Sequence, residues 1–353
     1  MAKTKKSAAS GGYEQLKAEL KSGGYHRVYA FYGEERYLLD HYRGQLRKKL
    51  VGGPAEDFNY HKFTDENFSL EAFSEAVEAI PMMSEYSLVE LVDVDLFDKQ
   101  RGETDRDHLA EIFEGVPESC VILILCDALE WKPDKRYKKL WSALEKNLLQ
   151  VEFQKQPESQ LIPWIRRHLA AGHKTMSDDL CRYLILQTGG SMTILSAELQ
   201  KLMCYSDQPE IVKKDIDDVV IPVMEAAIFD ITRDIGRKDF DGALRKLRDL
   251  VRQETEPIAI NAVIGRQLRQ LYAAKVLQEH RGGAYDLAQL YGLRDFAARE
   301  TFNQAGGFRK QLLRRAALLS AQTDYAMKTS GGDQEQLLEM MVLKLAAACR
   351  EVR

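Results

Sequence analysis

Val28-Tyr29-Ala30-Phe31-Tyr32-Gly33-Glu34-Glu35-Arg36-Tyr37-Leu38-Leu39-Asp40-His41-Tyr42 has the order strand, tight loop, helix. The apolar run from Val28 to Tyr32 predicts a buried strand, Gly33 ends it, and the segment from Tyr37 opens a helix. A P-loop ATPase has the same order. Its turn, however, is rich in glycine so that backbone amides cradle phosphate, and it closes on a Lys for charge and a Ser or Thr for magnesium. Here the turn Gly33-Glu34-Glu35-Arg36 holds one glycine, two carboxylates that repel phosphate, and no Lys-Ser/Thr pair. No complete P-loop motif occurs elsewhere in the chain. The expectation is the scaffold of an ATPase without its chemistry: a degenerate nucleotide site at Gly33, Glu34 and Glu35, no catalytic residues and no cofactor.

Working outward, four more apolar runs follow, at residues 58–63, 87–92, 120–126 and 149–153. Val121-Ile122-Leu123-Ile124-Leu125 is apolar without interruption, as a parallel strand covered on both faces requires. Helical stretches such as 70–79 and 136–146 lie between the runs. This alternation predicts a parallel sheet with helices on both sides. After Gln154 the strand signal fades. Pro157, Pro163, Gly172 and Gly189-Gly190 punctuate short helices up to Tyr205, and Val219-Val220-Ile221-Pro222 reads as a connection. From Met224 the pattern is helical, with breaks at 255–257, Gly282-Gly283, Gly306-Gly307 and Gly331-Gly332. The organisation expected is a disordered tail over residues 1–12, rich in Lys, Ser, Ala and Gly, an α/β domain over 13–153, a small helical domain over 154–222 and a helical C-terminal domain over 223–353.

The 353 residues are 45% hydrophobic, enough for a sizeable core, and their formal net charge of −4 does not suit a strongly basic nucleic-acid binder. The five cysteines (Cys120, Cys126, Cys181, Cys204, Cys349) are scattered and never in CxxC spacing, which predicts reduced intracellular thiols and no zinc site. No apolar stretch approaches membrane-spanning length and the N-terminus has no hydrophobic signal core, so a cytoplasmic protein without a membrane partner is expected. The seven histidines form no HxxxH or Cys/His cluster, and there is no GxSxG nucleophile elbow.

In their order, these segments resemble one family, the delta subunit of the bacterial DNA polymerase III clamp loader. Val28 to Glu35 followed by Tyr37-Leu38-Leu39 resembles the family's degenerate first motif. Ala79-Ile80-Pro81-Met82-Met83-Ser84-Glu85, followed by Ser87-Leu88-Val89, resembles its clamp-contacting segment. Gly189-Gly190 with Leu195, Glu198, Leu199 and Leu202 is similar to its small helical domain, and Asp324-Tyr325-Ala326-Met327-Lys328-Thr329 with Gly331 to part of its last domain. One departure is Leu293-Arg294-Asp295-Phe296, where the family leads one to expect a proline before the aromatic; the stretch reads as a local helix boundary. The likeness extends over nearly all of the chain after the tail. It implies an AAA+-like α/β domain, a helical lid and a helical collar for oligomerisation. It also implies that the chain opens one interface of a ring-shaped sliding clamp (beta) without binding ATP, alongside clamp-loader ATPase subunits, a delta-prime subunit and primer-template DNA.

Met82 and Met83, with Ile80 and Pro81, are the leading clamp-binding candidates. Pro81 stiffens the exit from the preceding helix, and Met is flexible and polarizable, so it suits a partner's apolar pocket. The alternative is that both methionines cap the domain's own core. Glu34 and Glu35 could bind a metal, but acidic residues at a helix start are locally stabilising in any case. Asp93 and Asp95 follow a strand as a magnesium-binding carboxylate would, yet without a P-loop they read as strand-end residues. Arg266, Arg269, Arg309, Lys310, Arg314 and Arg315 could attract DNA phosphates by counterion release or face another subunit. Two rival functions stay open: an active AAA+ ATPase, and a helical nucleic-acid-binding protein using these basic residues.

Overall fold

The computed structural model describes residues 6–54, 56–253 and 256–351. It divides into two compact units that meet at Lys155 and Gln156. The first contains α1 (Lys6–Ser22), β1 (Val28–Gly33), α2 (Arg36–Val51), α3 (Glu56–Asn59), β2 (Tyr60–Thr64), α4 (Leu70–Glu78), β3 (Ser87–Val92), α5 (Glu103–Glu114), β4 (Cys120–Leu125), α6 (Lys138–Asn147) and β5 (Leu148–Phe153).

The five strands form one sheet in the order β2-β3-β4-β1-β5, with every pairing parallel. Burial follows that order. β4 lies between β3 and β1, and all six of its residues are buried. β5 is an edge strand and buries only alternate residues, Leu149, Val151 and Phe153. An uninterrupted apolar run is what a covered inner strand requires, and alternation is what a half-covered edge permits. On one face α4, α5 and α6 bury Phe73, Phe113, Trp141 and Leu144 against Val89, Ile122 and Ala30. On the other face α1 and α2 pack on β1 and β5. This is a parallel α/β domain with helices on both faces, as expected from the sequence.

The tail expectation requires correction. Residues 6–12 are the first turns of α1, and residues 1–5 lie outside the described residues. The helix is held by tertiary packing. Leu16 and Leu20 are buried, and the Tyr13 ring meets Tyr42 and Phe153 edge-on at 5.3 and 5.9 Å. Glu19, also buried, accepts a 2.5 Å hydrogen bond from Tyr29 Oη in β1 and is 2.6 Å from His26 Nδ1. Gly12 sits so close to β5 that a Cβ there would stand 2.0 Å from the Gln150 carbonyl oxygen. Its glycine therefore reflects close approach rather than flexibility.

A second correction concerns the run at 58–63. Phe58 and Asn59 belong to the short helix α3, and the strand begins at Tyr60. Phe58 is consequently exposed instead of facing the core.

The second unit is helical: α7 (Glu158–Ala171), α8 (Asp178–Gln187), α9 (Met192–Tyr205), α10 (Lys213–Val219), α11 (Met224–Arg237), α12 (Phe240–Arg252), α13 (Pro257–Glu279), α14 (Ala284–Tyr291), α15 (Asp295–Ala305), α16 (Lys310–Thr329) and α17 (Gln334–Glu351). Ser177 and Ser191 cap α8 and α9 through their side chains, and Asp239 caps α12. The longest helix, α13, is the centre of a core in which Ile264, Leu268 and Leu271 meet Ile231, Leu313 and Leu345. The expected breaks separate the later helices. α10 was not foreseen; its first turn is fixed by Asp215, whose carboxylate accepts from the Val212 N–H at 3.0 Å.

Candidate functional site

Because every strand runs the same way, the sheet has two chemically distinct ends. The loop at Gly33, the turn after β3 and the turn after β4 gather at the carboxyl ends, where α/β proteins bind ligands. The loops entering β2 and β3 lie at the amino ends.

At the carboxyl ends, the loop from Gly33 to Arg36 is engaged by the chain's own contacts. Gly33 pairs in register with Phe153 of β5 at a φ of +129°, and a Cβ there would lie 2.3 Å from the Phe153 carbonyl oxygen. The Glu35 N–H donates to that same carbonyl at 2.9 Å, and Glu35 is buried. Glu34 pairs with Lys155 at 3.1 Å. Arg36 donates to the Cys126 carbonyl at 3.1 Å and pairs with Asp127 at 2.5 Å. The N–H groups of Asp127, Ala128 and Leu129 form an anion-binding nest of the kind that could hold phosphate. Here Asp93 Oδ1 accepts from all three, at 2.7, 2.8 and 3.0 Å. Asp93 thus ties the turn after β3 to the turn after β4, and Asp95 accepts from the Phe97 N–H at 2.9 Å. Among the described residues no group of three His, Cys, Asp or Glu side chains is placed to hold a metal ion.

Gly33→Ala should cost the fold at least about 2 kcal/mol, because a left-handed φ and a backbone clash act at one position. Urea unfolding of the variant against the wild type measures it.

The thiols offer no nucleophile in this unit. Cys120 and Cys126 are buried, and burial pushes them up to about 11 and about 12 respectively. Burial also pushes Cys181, in the helical unit, up to about 11.

At the amino ends, residues 79–86 connect α4 to β3 and present an apolar tip. Ile80 is 87% exposed, Met83 93%, Met82 55%, and Pro81 is half-buried. Neither methionine caps the core. The loop is held from beneath by side chains. Asn59, 1% exposed, donates from Nδ2 to the Met82 carbonyl at 2.8 Å and accepts from the Met82 N–H through Oδ1 at 2.7 Å. Ser84 Oγ donates to the Leu50 carbonyl at the end of α2, 3.1 Å away. Met83, between these tethers, has a φ of +54°, a left-handed conformation that costs a side-chain-bearing residue about 1 kcal/mol.

Below the loop lies a buried ionic cluster. Glu90, fully buried in β3, takes a bidentate pair from Arg43 at 2.6 and 2.7 Å and a 2.5 Å hydrogen bond from Tyr60 Oη. These bonds to Glu90 raise the Arg43 guanidinium above its ordinary value, and burial raises the Tyr60 hydroxyl. Arg47 stacks over the Tyr60 ring at 3.8 Å and pairs with Glu56 at 2.5 Å. The cluster fixes both ends of α3 and so the backbone that carries Asn59.

Sequence reasoning singled out Ile80, Pro81, Met82 and Met83 but not Phe58, Asn59 or Ser84. Phe58, 62% exposed, immediately precedes Asn59 and was assigned to a strand. Asn59 fell within the same expected strand, and Ser84 lay in the segment that resembles the clamp-contacting one but was not singled out within it.

The basic candidates lie in the helical unit. Arg266 pairs with Glu225 at 3.1 Å and Lys310 with Glu279 at 2.5 Å, so these two charges are offset locally. Arg269, Arg309, Arg314 and Arg315 are exposed.

Two family models match the chain: DNA polymerase III, delta subunit, over residues 29–154, and DNA polymerase III delta subunit, C-terminal domain, over residues 225–345. The chain is 28% identical over 330 residues to the DNA polymerase III subunit delta of Bacillus subtilis (strain 168), covering 92% of this chain and 94% of that one. It is 24% identical over 261 residues to a probable DNA polymerase III subunit delta of Aquifex aeolicus (strain VF5), covering 72% of each. Among solved structures, the Bacillus subtilis DNA clamp loader delta protein (YqeN) superposes with a TM-score of 0.55 at 26% identity, covering 95% of this chain and 99% of that one.

Proposed function

This chain belongs to the DNA polymerase III delta subunit family, and on that premise we propose that it is the clamp-loader subunit that binds and opens the sliding clamp. The observation that carries the reading is the exposed Ile80–Met83 tip, tethered from below and facing away from a nucleotide site filled by its own side chains. A ligand shifts an equilibrium only through differential affinity for the two states. The tip must therefore bind the distorted edge of an open clamp better than the closed one. Insertion of Met82 and Met83 into an apolar pocket, with Ile80 and Phe58 alongside, provides the contact. Pro81 stiffens its entry.

In this reading ATP enters through neighbouring ATPase subunits. Residues 154–222 form the lid and residues 223–353 the collar that joins those subunits and the delta-prime subunit around primer-template DNA. Exposed apolar side chains on the collar helices, such as Leu318 and Tyr325 of α16, suit packing against neighbours. The exposed arginines of α13 and α16 are the positions from which DNA phosphate or another subunit would be met. No helix among the described residues is long and apolar enough to cross a membrane.

Surface plasmon resonance with the cognate sliding clamp tests the reading. The isolated chain should bind in the absence of ATP, and failure to bind with the chain folded overturns it. Calorimetry with Mg-ATP should give no heat of binding to the isolated chain, since Glu34, Glu35 and the Asp93-filled nest leave nowhere for phosphate. Micromolar binding would favour the active-ATPase reading instead.

A further inference from the structure

The contact loop has few means of holding its own shape. It lies between α4 and β3, carries a left-handed Met83 and exposes its apolar side chains. A loop of this kind, left to itself, samples many conformations, and ordering it on binding costs affinity. The side-chain amide of Asn59 reaches across 23 residues of sequence and closes a two-bond ring on the Met82 backbone, at 2.7 and 2.8 Å. The two contacts need opposite ends of the amide, one accepting and one donating, so only one orientation satisfies both. Asn59 is itself inaccessible to solvent and sits in α3, which the Arg47–Glu56 pair and the Tyr60–Glu90–Arg43 cluster anchor to β3 and α2. Ser84 supplies a second tether, to Leu50 at the end of α2.

We infer that Asn59 is a positioning residue for clamp recognition: it holds the Met82 backbone so that Met82 and Met83 are presented in the conformation the clamp receives. The inference rests on the proposed clamp contact but concerns a residue that does not itself reach the surface. Its role is pre-organisation, and Phe58 next to it in α3 moves with the same support.

The test uses the full chain with Asn59→Ala. Hydrogen exchange of the free protein should show the Met82 amide, which bonds Asn59 Oδ1, losing protection while β3 keeps its own. Clamp affinity should fall about tenfold, the equivalent of one to two net hydrogen bonds. In a Met82→Ala/Met83→Ala background the same substitution should lose most of its effect on clamp binding, because the two side chains it positions are gone. A folded Asn59→Ala chain that binds within about twofold of wild type overturns the inference. So does a tenfold loss that persists undiminished in the double-alanine background, which would mark a general structural effect. If Asn59→Ala does not fold, Ser84→Ala cuts the other tether: loss of clamp affinity that vanishes in the double-alanine background supports loop positioning, and unchanged affinity overturns it. Should the wild-type chain not bind the clamp, the proposed function fails. The exchange measurement then still decides whether Asn59 holds the loop.

Discussion

Met82→Ala combined with Met83→Ala should weaken binding to the sliding clamp by on the order of a hundredfold or more and leave the melting temperature nearly unchanged. Fully burying one such side chain contributes roughly 1.5–3 kcal/mol, and interface anchors commonly cost about 2 kcal/mol or more when truncated. Met83 has almost its whole side chain available for burial and Met82 about half of it, so two unequal anchors of this size give the stated loss after allowance for non-additivity. Stability is spared because neither side chain is in the core, and exposed substitutions usually change it by no more than about 0.5 kcal/mol. The φ of Met83 is as strained for Ala as for Met, so that cost cancels. Surface plasmon resonance and a thermal melt on the same preparation read the two quantities. A large fall in melting temperature with clamp binding retained per folded molecule would sink the contact assignment.

Arg43→Ala has the opposite signature: a large loss of stability of the α/β unit, about 3 kcal/mol. Glu90 is fully buried in β3 and Arg43 supplies two of its three hydrogen bonds. Removing one partner of a buried pair leaves an uncompensated charge, which costs roughly 3–5 kcal/mol; the lower end applies because Arg43 keeps some access to water. For a unit of this size the loss lowers the thermal midpoint by about 6–12 °C. Replacing both partners by apolar residues, Arg43→Met with Glu90→Leu, should recover most of it, since the isolated charge rather than the missing bond carries the cost. Chemical denaturation of single and double variants, monitored by circular dichroism, checks this. A double variant no more stable than Arg43→Ala would mean that the cluster acts through geometry instead.

These two variants separate contact from support. Met82 and Met83 are exposed and carry little stability, and in the proposed function they carry the interface. Arg43, Glu90 and Tyr60 carry stability and reach the interface only through α3 and Asn59.

Much was determined by the sequence alone. The parallel sheet follows from runs such as Val121 to Leu125, because a strand covered on both faces must be apolar throughout. The absence of a P-loop motif is read directly from Gly33-Glu34-Glu35-Arg36, because phosphate binding by that motif needs particular residues at fixed spacing. The helical second unit and most of its breaks follow from periodicity and paired glycines, which act locally. Ile80 to Met83 could be marked as an apolar tip after Pro81, but whether it faced a core or a partner could not be read, since both uses need the same side chains. Tertiary structure places it outside the core, and it also decides everything that depends on groups distant in the chain meeting. Residues 6–12 have the composition of a tail and become helix because Tyr13, Leu16 and Glu19 find β1, α2 and β5. Phe58 reads as strand, yet α3 turns it outward while Tyr60 is held inward by Glu90. Asn59 bonds a backbone 23 residues away, and Asp93 closes a nest more than thirty residues away. Local periodicity encodes which face is apolar; it carries no information about which distant amide a buried Asn or Asp will satisfy.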